Sequence, residues 1–266
     1  MRASLIQTGA DDAESVPSRR ARVASLVRGQ RGADLVVLPE LWTTGAFASE
    51  SFDAAAEPLE GPTYEAMAKA ASDTGVWLHA GSIPERDRDG TLYNTSLVFA
   101  PDGSLAASYR KIHRFGFDRG EAVLMGAGDA LVTVALPGLT LGLATCYDLR
   151  FPELFRGLVD AGAEALVIPA GWPERRRGHW SLLARARAVE NQSYVLACGS
   201  AGRHAGVDQA GHSVVVDPWG EVLGELPDAG DAVLTVDFDP AQVASVRERF
   251  PALKDRRLGG TGTPRG

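Results

Sequence analysis

Cys146 and Glu40 are the residues of this chain placed to do chemistry on local grounds. Cys146 follows the apolar run Leu141–Ala144 and precedes Pro152 and apolar residues at helical spacing, Leu154, Phe155, Leu158 and Val159. Proline favours the first turn of a helix, so a helix is expected from Phe151 or just after it. The thiol is then expected where a strand hands over to a helix, near N–H groups that favour a thiolate and suit a nucleophile. A lone cysteine in such a run is more often a small core residue. Glu40, in Leu38-Pro39-Glu40-Leu41-Trp42, is flanked by apolar groups. Partial desolvation raises a carboxylate's pKa and fits it for general-base work, although a solvated strand-end glutamate leaves the same local pattern. Lys111, in Tyr109-Arg110-Lys111-Ile112-His113, reads by itself as a surface lysine.

Composition narrows the classes. The chain has 266 residues, 45% hydrophobic and 23% charged, enough for one large domain or two small ones. A net charge of −7 argues against a nucleic-acid or anionic-membrane partner. No apolar run approaches the roughly 20 residues of a membrane span, and residues 1–10 lack the features of a secretory signal. Cys146 and Cys198 make no disulfide framework, and the scattered histidines without CxxC or HExxH spacing argue against a metal site. A soluble cytoplasmic protein is expected. Basic clusters at Arg19–Arg31 and Lys254–Arg257 read as the solvated face of a helix and as a tail.

The elements that must position Glu40 and Cys146 fall into two similar halves. Strands are predicted over 3–8, 34–38, 76–82, 95–100 and 104–109, and helices over 14–28 and 62–72. A glycine-rich loop runs from Lys111 to about Ala130, a length that usually carries function. Then the pattern returns. Gly32–Trp42 (GADLVVLPELW) aligns without gaps with Gly162–Trp172 (GAEALVIPAGW). Gly81-Ser82 recurs as Gly199-Ser200, and the turn Pro101-Asp102-Gly103 recurs as Pro218-Trp219-Gly220. Two such halves would pack sheet on sheet with helices outside both. The expectation is one four-layer α-β-β-α domain over 1–258 with an internal pseudo-two-fold repeat, and a flexible tail over 259–266. Cys146 ends the strand equivalent to the first strand of half one. Glu40 ends the second, where half two has Ala170. Strand ends at one rim are where α/β sites form, so Glu40 and Cys146 are expected to face each other.

LPELW around Glu40, YRKIHRF around Lys111 and CYDLRFPELFR around Cys146 together resemble the nitrilase, or carbon–nitrogen hydrolase, superfamily. YNTSLVF (Tyr93–Phe99), HWSLLARARAVENQSYV (His179–Val195) and GHSVVVDPWGEVL (Gly211–Leu223) extend the resemblance over nearly the whole chain. The resemblance implies an α-β-β-α sandwich, a Glu40–Lys111–Cys146 triad, and no metal or organic cofactor. A second glutamate near the triad usually lies in the loop after the lysine, and Glu121 matches that position. In this chemistry Cys146 attacks a carboxamide, Lys111 and the Tyr147 N–H hold the oxyanion, and Glu40 moves the protons.

Within the superfamily the CYDLRFPEL, HWSLLARARAVENQSY and GHSVVVDPWGEV blocks look most like the ω-amidase and deaminated-glutathione amidase branch. Those enzymes act on short amides bearing a distal carboxylate, which calls for an arginine partner. Arg150 and the Arg175–Arg177 run, with Arg175 and Arg176 foremost, are the candidates; Trp42, Phe117 and Trp172 are candidate walls. Hydrolysis of a carbamoyl amino acid, hydrolysis of a small nitrile, and a catalytically silent scaffold are the competing readings. The resemblance also implies a homodimer joined through the helix after Cys146 and the one around Trp180–Glu190.

Overall fold

Short apolar, β-branched runs build two six-stranded sheets in the computed structural model, which describes residues 1–258. The tail expected over 259–266 lies outside the described residues. The first half supplies β1 (Arg2–Gln7), β2 (Leu35–Val37), β3 (Trp77–Arg86), β4 (Leu92–Phe99), β5 (Leu105–Arg110) and β6 (Thr133–Leu136). The second supplies β7 (Leu139–Leu143), β8 (Ala165–Ala170), β9 (Tyr194–Gly199), the small separate hairpin β10 (Arg203–His204) and β11 (Val207–Asp208), then β12 (Val214–Val216), β13 (Val222–Glu225) and β14 (Ala232–Asp237). The helices in chain order are α1 (Val16–Arg28), α2 (Phe52–Ala55), α3 (Pro62–Thr74), α4 (Glu121–Leu124), α5 (Pro152–Asp160), α6 (Arg177–Asn191) and α7 (Ala241–Arg249).

The strand orders are β14-β1-β2-β3-β4-β5 and β6-β7-β8-β9-β12-β13. In each sheet three parallel strands are flanked by antiparallel ones. The repeat is thus visible strand for strand, with one exchange. β6 follows half one but pairs with β7, Leu136 opposite Leu139; β14 follows half two but pairs with β1, Leu234 opposite Leu5. Each half completes the sheet of the other.

β2 and β8 are buried throughout, as parallel strands covered on both faces must be. Leu5, Val37, Leu143, Val167 and Leu196 meet between the sheets. α1 and α3 cover the outer face of the first sheet through Val23, Val27, Met67 and Ala70. α5 and α6 cover the second through Phe155, Leu158, Trp180 and Ala184. Burying each large side chain is worth about 1.5–3 kcal/mol. The four layers follow. α5 begins at Pro152 and buries the four residues whose spacing predicts it.

Two expectations are corrected. β3 runs on to Arg86, because its far end pairs with β4, Ile83 opposite Thr95 and Arg86 opposite Leu92. The basic residues of α1 are not a solvated face. Arg19 is buried and donates to the Thr43 carbonyl at 2.6 Å; Arg20 pairs with Glu57 at 2.7 Å and Arg28 with Asp73 at 2.8 Å. Among the described residues no helix is long and apolar enough to cross a membrane.

Candidate active site

β7 ends at Leu143, and Thr145 caps a short 3-10 turn, Cys146–Arg150, ahead of α5. Cys146 thus stands at the predicted handover, with a φ of 47°. A β-carbon disfavours that left-handed conformation. A reciprocal pair of hydrogen bonds closes the turn: the Thr145 side chain accepts the Asp148 N–H, and the Asp148 carboxylate accepts the Thr145 N–H at 2.9 Å. Sγ points to the Gly171 carbonyl at 3.7 Å. The turn's N–H groups do not set the balance at the thiol. Burial, reinforced by the charge of Glu40, pushes the Cys146 thiol well above its usual range, and Lys111 only partly opposes this. The Tyr147 N–H has no protein acceptor among the described residues.

Glu40 is buried just past β2. Its Oε1 accepts Lys111 Nζ at 2.7 Å and Asn94 Nδ2 at 2.9 Å; its Oε2 accepts the Gly171 N–H at 2.8 Å. The Gly171 peptide therefore touches both Glu40 and Cys146, one through its N–H and the other through its C=O. Lys111 directly follows β5 and is 2% exposed, so it is no surface lysine. Its Nζ also donates to Glu121 Oε2 at 2.7 Å. Burial opposes its charge, but Glu121 and Glu40 outweigh burial and hold it well above the ordinary lysine value. Glu121 opens α4, a helical turn within the expected loop. It accepts Asn94 Nδ2 at 2.8 Å and the Phe115 N–H at 2.9 Å. Burial, then the charge of Glu40, raises its carboxyl pKa against the pull of Lys111.

Glu40, Lys111, Glu121 and Cys146 line one cavity of about 420 Å³, with Phe117, Arg175 and Arg176 also on its wall. A narrower recess beside Cys146 is walled by Phe115, Tyr147, Arg150, Trp172 and Arg176. Arg176 borders both spaces, its guanidinium 5.3 Å from the Phe115 ring centre. Arg177 pairs with Glu174 at 3.7 Å, whereas Arg175 and Arg176 form no ion pair among the described residues. Burial, then Arg175 and Arg150, lower the pKa of Arg176, so a bound anion would relieve it. Arg150 lies 4.9 Å over the Trp172 ring and 3.3 Å from His179 Nδ1. Phe117 is 82% exposed at the cavity mouth. Trp42 is not a wall. The backbone at Leu41 has a φ of 43°, and the indole is buried against the helix side of the first sheet, donating to the Ala80 carbonyl at 2.8 Å.

Asn94, Asp148 and Gly171 join the site without being expected from the sequence. Asn94 places one amide hydrogen on each of Glu40 and Glu121. Its only signal is its place in the YNTSLVF block, where it stands beside two further polar residues, Thr95 and Ser96. Asp148 had a legible one, the Thr145-x-x-Asp148 spacing of a capped helical turn. Gly171 is required by contact, since a β-carbon there would lie 2.3 Å from Ala46 Cβ.

The family model described as carbon-nitrogen hydrolase matches residues 2–248. The 2-oxoglutaramate amidase of Paenarthrobacter nicotinovorans is 43% identical, over 96% of this chain and 88% of that protein. The omega-amidase NIT2 of Mus musculus is 37% identical, over 96% of this chain and 95% of that protein. Saccharomyces cerevisiae Nit3, a member of branch 10 of the nitrilase superfamily, superposes with a TM-score of 0.87 at 30% identity, covering 97% of both chains.

Proposed function

The chain belongs to the carbon-nitrogen hydrolase family and is an amide-hydrolysing enzyme, and from that premise we propose that it is an ω-amidase. It would release ammonia from the terminal amide of a dicarboxylic acid monoamide through a thioester on Cys146. The observation that carries this reading is the buried cluster in which one peptide, Gly171, joins Glu40 to Cys146 while Lys111 lies between Glu40 and Glu121.

Glu40 takes the Sγ proton as sulfur adds to the amide carbonyl carbon. The carbonyl electron pair moves onto oxygen. Lys111 has committed two N–H groups to carboxylates, which leaves its third, with the Tyr147 N–H, for that oxyanion; one such donor is typically worth about 3 kcal/mol. Glu40 returns the proton to the amide nitrogen, the C–N bond breaks, and ammonia departs. Water then loses a proton to Glu40 and adds to the thioester, and the C–S bond breaks as Glu40 passes that proton to sulfur, which restores the thiol and the carboxylate. Glu121 and Asn94 hold Lys111 and Glu40 in register.

The distal carboxylate is assigned to Arg176, with Arg150 and Arg175 contributing positive potential and Trp172 and Phe117 as walls. The support is Arg176's position against both spaces around Cys146 without an ion-pair partner of its own. The enzyme is read as a cytoplasmic homodimer paired through α5 and α6, on the strength of two unpaired cysteines and the exposed Leu182 and Val189 on α6. Light scattering and cell fractionation test those two points.

The deciding experiment measures ammonia release from glutaramate and from its methyl ester. The acid is expected to exceed the ester in kcat/KM by about 10- to 100-fold, matching a charge-assisted hydrogen bond. Arg176→Ala should remove that preference while sparing small neutral amides. Equal rates for acid and ester in the wild type would overturn the ω-amide assignment.

A further inference from the structure

Asp148 is a fully buried carboxylate with no step of its own in the chemistry above, yet its hydrogen bonds all lead to residues beside catalytic ones. Oδ2 accepts the Thr145 N–H at 2.9 Å and the Tyr109 hydroxyl at 2.7 Å. Oδ1 accepts the His113 N–H at 3.0 Å and meets His113 Nδ1 at 2.7 Å. Thr145 immediately precedes Cys146. Tyr109 and His113 lie two residues to either side of Lys111. One carboxylate thus ties the turn after β7, in the second sheet, to the end of β5, in the first.

The turn itself is a closed ring. Thr145 and Asp148 are joined at both ends, and Cys146 inside has a φ of 47°. A non-glycine residue in that region relaxes away unless its surroundings hold it. We propose that Asp148 is a positioning residue for amide hydrolysis. It keeps Cys146 in the left-handed turn, Sγ toward Gly171. The proposal rests on the reading of Cys146 as nucleophile.

An isosteric change isolates the role. Asparagine offers one acceptor oxygen and one NH2 group. The two His113 groups can share the oxygen, and the Tyr109 hydroxyl can rotate to accept from the NH2. The Thr145 N–H cannot turn, and would face another N–H. Asp148→Asn therefore opens the ring at Thr145, whereas Tyr109→Phe removes a donor and leaves the ring closed.

The test compares wild type, Asp148→Asn and Tyr109→Phe in kcat and KM on an ω-amide, in Tm, and in the rate of Cys146 alkylation by iodoacetamide, read by mass at that site. Asp148→Asn is expected to lose about 100-fold in kcat with KM changed less than about threefold, and to slow alkylation about tenfold. Tyr109→Phe should stay within about threefold in both rates even where its Tm falls. If Asp148→Asn does not fold, Thr145→Ala removes the hydroxyl half of the ring and should slow alkylation by the same order. Alkylation unchanged in the variant that folds, or rates in Tyr109→Phe falling as far as in Asp148→Asn, would overturn the proposal. Should the wild type hydrolyse no amide, the functional reading fails, and the alkylation comparison still decides the role of Asp148.

Discussion

A buried lysine between two carboxylates is an arrangement that stability alone does not favour, since desolvating three charges costs several kcal/mol and apolar packing would serve as well. At this scale Cys146→Ala should abolish amide hydrolysis, while Cys198→Ala, whose Sγ lies in the core against the Ile6 and Val37 carbonyls, should alter only Tm. Glu40→Gln and Lys111→Arg should each retain less than about a tenth of the activity, a loss above 1.4 kcal/mol, in steady-state assays of ammonia release. Because burial and Glu40 raise the Cys146 pKa, its alkylation in the free enzyme should keep climbing with pH beyond the ordinary thiol range rather than level off there. The proposed trio of Glu40, Lys111 and Cys146 is legible in the sequence because each member sits in its own motif block. Asn94 also sits in a block, YNTSLVF, but its task is not legible there, because it exists only where β4 meets two carboxylates brought from elsewhere. Trp42 misleads because nothing in LPELW announces a left-handed residue at Leu41 that sends the indole to the helix side.

Secondary structure was readable wherever periodicity or a stop signal decided it, as with α5 after Pro152. It was less readable where pairing decided it, as at the far end of β3, and where a charged side chain at the cavity opened a helical turn, as with Glu121 in α4. The junction after β8 makes a prediction at this scale. Gly171 lies against Ala46, and a β-carbon would displace the peptide that touches both Glu40 and Cys146. Gly171→Ala should lower kcat by at least about tenfold while costing about 1–3 kcal/mol of stability, as overpacking does. Kinetics and thermal melts on the same preparation check this; a variant with wild-type kcat would show that the peptide's position is not critical.

For the whole molecule, the exchanged edge strands make the two halves mutually dependent. Calorimetry should show one cooperative transition, with calorimetric and van't Hoff enthalpies equal. Stability should also fall in acid. Burial lowers the pKa of His79 and His204 from the ordinary 6.5 to about 4. Depressed folded-state values mean that the contribution is complete above pH 6.5 and is lost as pH falls toward 4, about 3 kcal/mol for each ring. Melts between pH 7 and 4 should show the loss, and His79→Phe should remove about half of it, leaving the share of His204. The repeat itself was legible in Gly32–Trp42 and Gly162–Trp172; the exchange was not, because edge-strand pairing leaves no mark on either copy. It has a consequence for the order of synthesis. All six strands of the second sheet lie within residues 133–225, whereas the first sheet needs residues 2–110 and then 232–237. On the ribosome, the sheet whose strands emerge first is therefore the last to close, and β1 keeps an open edge until β14 has left the exit tunnel.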